Sequence, residues 1–354
     1  MKENFLPQFF RIKNQTEKVS LESLKQKVDV VIHDEITGQL RELVKIQNPS
    51  LKLTEADYDR LIEKHLSGIS LEEYGVWVYY PWRNCIVHLL DEDEFIEVRT
   101  NRNRNKITKE EQQILKSKRI GVAGLSVGQS IALTLVMERV CGEIRLADFD
   151  TAELSNLNRI RTGVHNLGLS KTIIAAREIL EIDPFIKVKI FSDGLQESNM
   201  HAFFEEDGVL DLYVEVCDGI QMKLTSRFKA KELKIPVVMD TNDRGMLDVE
   251  RFDLEPDRSI MHGRLEDFIK NNSIIVDETN RMSIVNAILN FDTLSERMKL
   301  SMAEINKTIN TWPQLASSVV LGGAITTDIC RRILLDQHHK SARYYVNLDE
   351  IFKV

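Results

Sequence analysis

A doubly wound, mostly parallel α/β sheet carrying an α+β N-terminal extension is the fold class that this 354-residue sequence predicts. Three observations predict it. Short β-forming runs alternate with helical stretches from Lys118 to Met239, and that alternation builds parallel sheets with helices on both faces. A small-residue turn, Gly124-Leu125-Ser126-Val127-Gly128, stands between the first of these strands and the first of these helices. The next strand ends in Asp148, about twenty residues past the turn, the spacing at which an acid reaches a ribose hydroxyl. Strand, tight turn, helix, strand and terminal acid make a Rossmann-like mononucleotide-binding unit, in which backbone N–H groups at a helix N-terminus favour phosphate.

The elements follow in order. Leu21–Val28, Ile36–Ile46 and Thr54–Leu66 carry helical apolar spacing, with Pro49 stopping the second. VWVYYPW and IVHLL, within Tyr74–Leu90, read as a hairpin around Pro81–Asn84. Its aromatic residues, Trp77, Tyr79, Tyr80 and Trp82, suit either a ligand platform or a small core. No chemistry is assigned to residues 1–98. Arg99–Lys106 is a basic connector, and Thr108 with Glu111 makes a capping box for a helix ending near Lys116.

Lys118–Ala123 is a buried strand, Ile131–Val140 a helix and Glu143–Ala147 a strand. Lys171–Ile182 is a helix that Asp183-Pro184 ends. Val188–Phe191, Leu210–Val216 and Pro236–Met239 are further strands, and Asn199–Glu206 and Leu224–Leu233 further helices. Ligands of such sheets sit at the carboxyl ends of strands, where Asp148 and Asp218 are both predicted. Beyond Asp240 the alternation weakens: residues 240–257 are acidic and turn-rich with room for short strands. Leu265–Leu300 reads as largely helical, Pro313–Leu335 as an apolar helix and Tyr344–Val346 as an edge strand.

Composition narrows the function classes. The net charge of −8 supplies no global basic field for nucleic acid. No apolar run approaches a membrane span, and Glu3, Asn4 and Gln8 interrupt any signal-peptide pattern. Cys85, Cys141, Cys217 and Cys330 are scattered, which suits neither a disulfide scaffold nor a CxxC zinc site. A reducing cytoplasm is the expected compartment.

The polar segment after the second strand separates ATP from a dinucleotide. Asn156, Arg159 and Lys171 place an amide and two cations just past Asp148 and Asp150, a set suited to charge developing at an α-phosphate. Each has a plainer reading: a turn-stabilising Asn156, a surface-paired Arg159, a loop-capping Asp148, a structural Asp150, a helix-capping Asp218. Cys217 in its apolar strand reads as a core thiol rather than a nucleophile. Gly124-Leu125-Ser126-Val127-Gly128 also matches a G-x-S-x-G nucleophile elbow; a hydrolase would then need partners such as Asp240 and His262, and Asn156, Arg159 and Lys171 would have no role.

Leu146–Arg159 (LADFDTAELSNLNR), GLSK ending at Lys171 and Val214–Gly219 (VEVCDG) resemble the ThiF/MoeB/HesA adenylyltransferases, bacterial relatives of ubiquitin-activating enzymes. The resemblance covers roughly residues 99–335 and implies an adenylation domain over 99–354. It implies ATP and Mg²⁺ as cofactors, Asp218 as the metal ligand, and Arg159 and Lys171 as catalytic cations. It further implies a homodimer in which Arg104, with Arg102 as competitor, reaches the partner's nucleotide, and a loop over Asn306–Thr311 that crosses the active site. Nucleotide binding then falls to Gly124, Ser126, Gly128, Asp148, Asp150 and Asn156. The turn departs from the family in being one residue shorter, with Ser126 where glycine is usual; the family's zinc cysteines are missing. The acyl donor, whether the C-terminus of a ubiquitin-like protein, a peptide or a small molecule, stays open. The alternatives are an NAD(P)-binding oxidoreductase on the same βαβ unit and a non-catalytic nucleotide-binding scaffold.

Overall fold

Two units divide the chain after Lys109 in the computed structural model, which describes residues 4–271 and 273–353. The first is built on a four-stranded sheet of β1 (Gln8–Phe10), β2 (Val31–Asp34), β3 (Val76–Tyr80) and β4 (Cys85–Leu89), ordered β1-β3-β4-β2. The expected hairpin is β3–β4, paired antiparallel from Val76↔Leu89 to Tyr80↔Cys85. Helices Gln15–Lys25, Ile36–Gln47, Glu55–Leu66 and Glu92–Arg99 complete the unit. The first begins well before the expected Leu21, because the Asn14 side chain accepts from the Thr16 N–H and caps it there. Thr54 and Asp57 form a reciprocal capping box for the third. Trp77 is buried, stacked on His88 at 3.9 Å and lying under the Lys25 ammonium at 4.1 Å. It is a core residue, not a platform.

The second unit holds seven strands: β5 (Arg119–Ala123), β6 (Glu143–Ala147), β7 (Lys187–Phe191), β8 (Leu212–Glu215), β9 (Val237–Asp240), β10 (Met246–Glu250) and β11 (Ala342–Tyr345). Their order is β11-β10-β9-β8-β5-β6-β7. β5 to β9 run parallel, with Ile120 of β5 beside both Ile144 and Leu212; β10 and β11 add antiparallel. The chain leaves β5 in one direction to β6 and β7, then returns to β8 on the other side. That reversal opens a crevice at the carboxyl ends of β5 and β8, where ligands of doubly wound sheets bind.

Helices cover both faces. Gly128–Glu138 follows β5, and helix Ala316–Leu334 packs so closely on it that a Cβ at Gly323 would lie 2.5 Å from the Ser130 hydroxyl. Ile220–Glu232 covers the other face of β8, with the Tyr213 hydroxyl donating to Ser226 at 3.0 Å. One expectation is corrected. Leu265–Leu300 is not largely α-helical: among the described residues it holds α-helices only over Arg281–Leu289 and the start of Glu296–Glu304, beside two short 3₁₀ turns, with left-handed Asn290 (φ 58°) ending the first helix. Residues 240–257 contain one short strand, β10, and all of it is buried.

Candidate functional site

The site begins with backbone geometry at the end of β5. Gly124 has φ +92°, and a Cβ on it would stand 2.4 Å from the Val216 carbonyl oxygen. Only glycine fits a left-handed residue pressed this closely against the end of β8. Gly128 serves packing, since a Cβ there would meet Val122 at 2.8 Å and Val216 at 3.1 Å. Between them the chain turns into a helix whose N-cap, Val127, makes no side-chain cap bond. No side chain of the N-cap takes the first N–H groups of that helix, an end suited to an anion, although the Ser130 N–H donates to the Val127 carbonyl at 3.1 Å.

Asp148, just past β6, fastens the turn. One of its oxygens accepts from the Leu125 N–H at 2.6 Å and the other from the Asp150 N–H at 2.8 Å. Burial pushes its carboxyl above the ordinary value, while Lys171 and the two backbone donors pull the other way. The side chain therefore fills the loop-capping role weighed from the sequence. Lys171 opens the next helix, is 5 % exposed, and its ammonium donates to Asp150 Oδ2 at 2.7 Å. Asn156 is buried; its Oδ1 accepts from the Glu153 N–H and shapes the 3₁₀ turn that presents Arg159.

Arg159 joins the two sides of the site. Its Nη2 donates to the Ser126 hydroxyl at 3.0 Å and its Nη1 to Asn158 Oδ1 at 2.8 Å. Burial lowers the guanidinium from its ordinary value, and the facing Asp218 carboxylate opposes that shift. Arg159 Nε is buried with no partner among the described residues. Asp218 itself is exposed, three residues past the end of β8. Gly124, Ser126, Gly128, Asp148, Asp150, Asn156, Arg159, Lys171 and Asp218 thus lie along the carboxyl ends of β5, β6 and β8. Arg104 belongs to the first unit, where its guanidinium pairs with Glu97 at 3.3 Å.

Sequence reading passed over several contributors. Gln129 is 3 % exposed; its amide donates to the Arg161 carbonyl at 3.0 Å and its carbonyl accepts from the Arg161 N–H at 2.8 Å. It clamps the Arg159 segment to the helix behind the glycine turn. A lone amide at the start of an apolar helix was the available signal. Asn158 donates to the Gln314 carbonyl at 2.8 Å, tying the same segment to the chain before helix Ala316–Leu334. At the end of β9, Asp240 Oδ1 accepts from the Asn242 N–H at 3.1 Å, and Oδ2 is buried without a partner among the described residues. Burial raises that carboxyl to about 7.

The nucleophile-elbow reading is overturned. Ser126 is bonded to Arg159, whereas His262 Nε2 faces Asp248 at 2.9 Å and its Nδ1 faces Arg258 at 2.7 Å. Asp240 packs against Gly322 instead. These groups form no proton relay.

The description of the ThiF family matches residues 100–351. An uncharacterized protein of Mycobacterium tuberculosis (strain CDC 1551 / Oshkosh) is 44% identical over 278 residues, covering 78% of this chain and 38% of that protein. The chain therefore spans well under half the length of this relative. The tRNA threonylcarbamoyladenosine dehydratase of Bacillus subtilis (strain 168) is 21% identical over 243 residues, 66% of this chain and 95% of the enzyme. Among solved structures, E. coli tRNA N6-threonylcarbamoyladenosine dehydratase in complex with ATP aligns with TM-score 0.49 and 16% identity, covering 70% of this chain and 98% of that one.

Proposed function

The chain belongs to the ThiF family, and from that premise we propose that it is an ATP-dependent adenylyltransferase, activating a carboxylate as an acyl-adenylate with release of pyrophosphate. The observation that carries the proposal is the placement of Arg159. It bonds the Ser126 hydroxyl of the phosphate turn and faces Asp218 across the switch point.

In this reading a substrate carboxylate oxygen attacks the α-phosphorus of ATP. The bond from that phosphorus to the bridging oxygen breaks, and pyrophosphate leaves with the electron pair. The turn receives phosphate oxygens on the N–H groups of residues 126–128, since those of Gly124 and Leu125 are held by the Ala147 carbonyl and Asp148. Arg159 and Lys171 offset charge developing around the α-phosphate. Lys171 exchanges Asp150 for phosphate, or shares the two, and Asp148 holds the turn that the adenosine lies against. Asp218 offers an exposed carboxylate, the hard oxygen ligand that Mg²⁺ takes. Mg²⁺ would add charge neutralisation and alignment of the phosphates at this position.

The relatives bear on substrate class only by their names: one acts on a modified tRNA base, and others are ubiquitin-like modifier-activating enzymes. We propose that residues 99–354 carry the activity, and that the protein works as a homodimer with Arg104, or Arg102, reaching the partner's nucleotide. ATP–pyrophosphate exchange tests the reading, with peptides ending in glycine and small carboxylic acids as acceptors. Exchange that Asp218→Ala and Arg159→Ala abolish supports it. NAD(H) binding in place of ATP binding supports the oxidoreductase alternative and ends the proposal.

A further inference from the structure

Behind the tip that carries Asp218 lies a buried cluster of charges. Glu215, the last residue of β8, is 0 % exposed. The Lys223 ammonium donates to both of its oxygens, at 2.7 and 2.9 Å, and Arg227 Nη2 to one of them at 3.3 Å. Arg227, also wholly buried, uses Nη1 on Asp248 and Glu250 of β10. Arg343 of β11 and His262 complete the cluster on Asp248.

Glu215 also accepts from the Cys217 N–H at 3.2 Å and from the Cys217 thiol at 3.2 Å. The Lys223 N–H donates to the Gly219 carbonyl at 2.8 Å. The contacts close a ring: Glu215 holds Cys217, the chain runs through Asp218 to Gly219, Gly219 is bonded to Lys223, and Lys223 returns to Glu215. Asp218 is the exposed apex of that ring. Buried ion pairs are poor sources of net stability, because desolvation offsets their attraction, and apolar residues of similar volume hold a fold as well. They do impose one geometry on the groups they bond.

We propose that Glu215, held by Lys223 and Arg227, is a positioning residue that fixes the Cys217–Gly219 tip so that Asp218 meets the nucleotide's phosphates and their cation at one place. The assignment of Asp218 rests on the adenylation reading; the anchoring of the tip does not. Lys223→Met removes the main partner of Glu215, Lys223→Arg is the conservative rescue, and Glu215→Gln keeps an acceptor for the Cys217 N–H but loses the charge. The first readout needs no ligand: the rate at which iodoacetamide alkylates Cys217 in the nucleotide-free protein, assigned by peptide mass mapping.

Retention and release of the tip predict different rates in this experiment. A tip that stays in place without Lys223 keeps the thiol bonded to Glu215, and alkylation is then no faster. A released tip exposes the thiol and speeds it, and the expected increase in Lys223→Met is about tenfold, reversed in Lys223→Arg. The second readout is calorimetric ATP affinity with and without magnesium. The magnesium-dependent gain should shrink by about tenfold in Lys223→Met while magnesium-free affinity stays within about twofold. Alkylation no faster than in the parent protein overturns the proposal. So does an equal loss of both affinities, which marks a purely structural role. If Lys223→Met does not fold, Glu215→Gln decides by the affinity ratio alone. Parent protein that binds ATP without any preference for magnesium removes the metal reading of Asp218, and the alkylation rate then judges the anchor by itself.

Discussion

Two strands of the second unit end in a buried aspartate, and the two acids live in opposite surroundings. Asp148, past β6, is 8 % exposed; each of its oxygens takes a backbone N–H, and Lys171 stands nearby. Asp240, at the end of β9, is 4 % exposed, with one oxygen partnered and the other bare. Burial opposes the charged form at both places and backbone N–H groups answer it at both, but only at Asp148 does a cation join them. Depth alone therefore does not set the charge of a strand-end acid. The first is an anchored carboxylate built into a phosphate turn, and the second is a group poised to change charge near neutral pH.

The comparison can be broken by substitution. Asp148→Ala should have the largest effect. It strands the Leu125 and Asp150 N–H groups and removes the charge facing Lys171, a loss of about 3 kcal/mol in stability. It should also weaken ATP binding by about a hundredfold as the turn relaxes. Urea unfolding and nucleotide titration read the two losses.

Asp240→Asn should act in the other direction and depend on pH. The folded-state value of about 7 lies above the ordinary 3.8, so between those values the native protein holds a proton that the unfolded chain has released. The stability this provides is whole below about pH 4 and is lost as pH rises through about 7. The displacement sets a ceiling near 4 kcal/mol; with the amide's own burial offsetting part, Asp240→Asn should gain about 2 kcal/mol at pH 8 and nothing at pH 4. Melting curves across that range check it, and a gain that did not vary with pH would exclude titration of Asp240 as the cause.

Gly322→Ala sharpens the same contrast. A Cβ there would lie 2.1 Å from Asp240 Oδ2, and such overpacking costs about 2 kcal/mol. In an Asp240→Ala background the collision disappears, so the two substitutions should couple by about 2 kcal/mol in a double-mutant cycle. Asn158→Ala is the mildest. It cuts the bond to Gln314 and the one from Arg159 Nη1, exposed contacts costing about 1 kcal/mol or less in unfolding, and should raise the ATP dissociation constant about threefold.

The difference between the two acids also marks how far the sequence could be read. The strand–turn–helix from Arg119 to Glu138, the position of Asp148 and the SNLNR segment are local features, because turn chemistry and helix periodicity act over a few residues. The parallel, doubly wound order followed from them. The burial of β10 did not. Met246-Leu247-Asp248-Val249-Glu250 lies in an acidic, turn-rich stretch that left room only for short strands, yet all five residues are buried. Asp248 and Glu250 are tolerated inside because Arg227, Arg343 and His262 arrive from distant parts of the chain. No local pattern announces such a partner. Asp240 was weighed from the sequence only as a hydrolase partner; its burial could not be read, since helix Ala316–Leu334 is what covers it.

The placement of Arg159 between the phosphate turn and Asp218 is best judged by titrating the protein with ATP and magnesium beside Arg159→Ala and Asp218→Ala. The account predicts saturable ATP binding by the parent protein, weakened by about tenfold or more in each variant with folding unchanged. ATP bound equally well by all three proteins would contradict it.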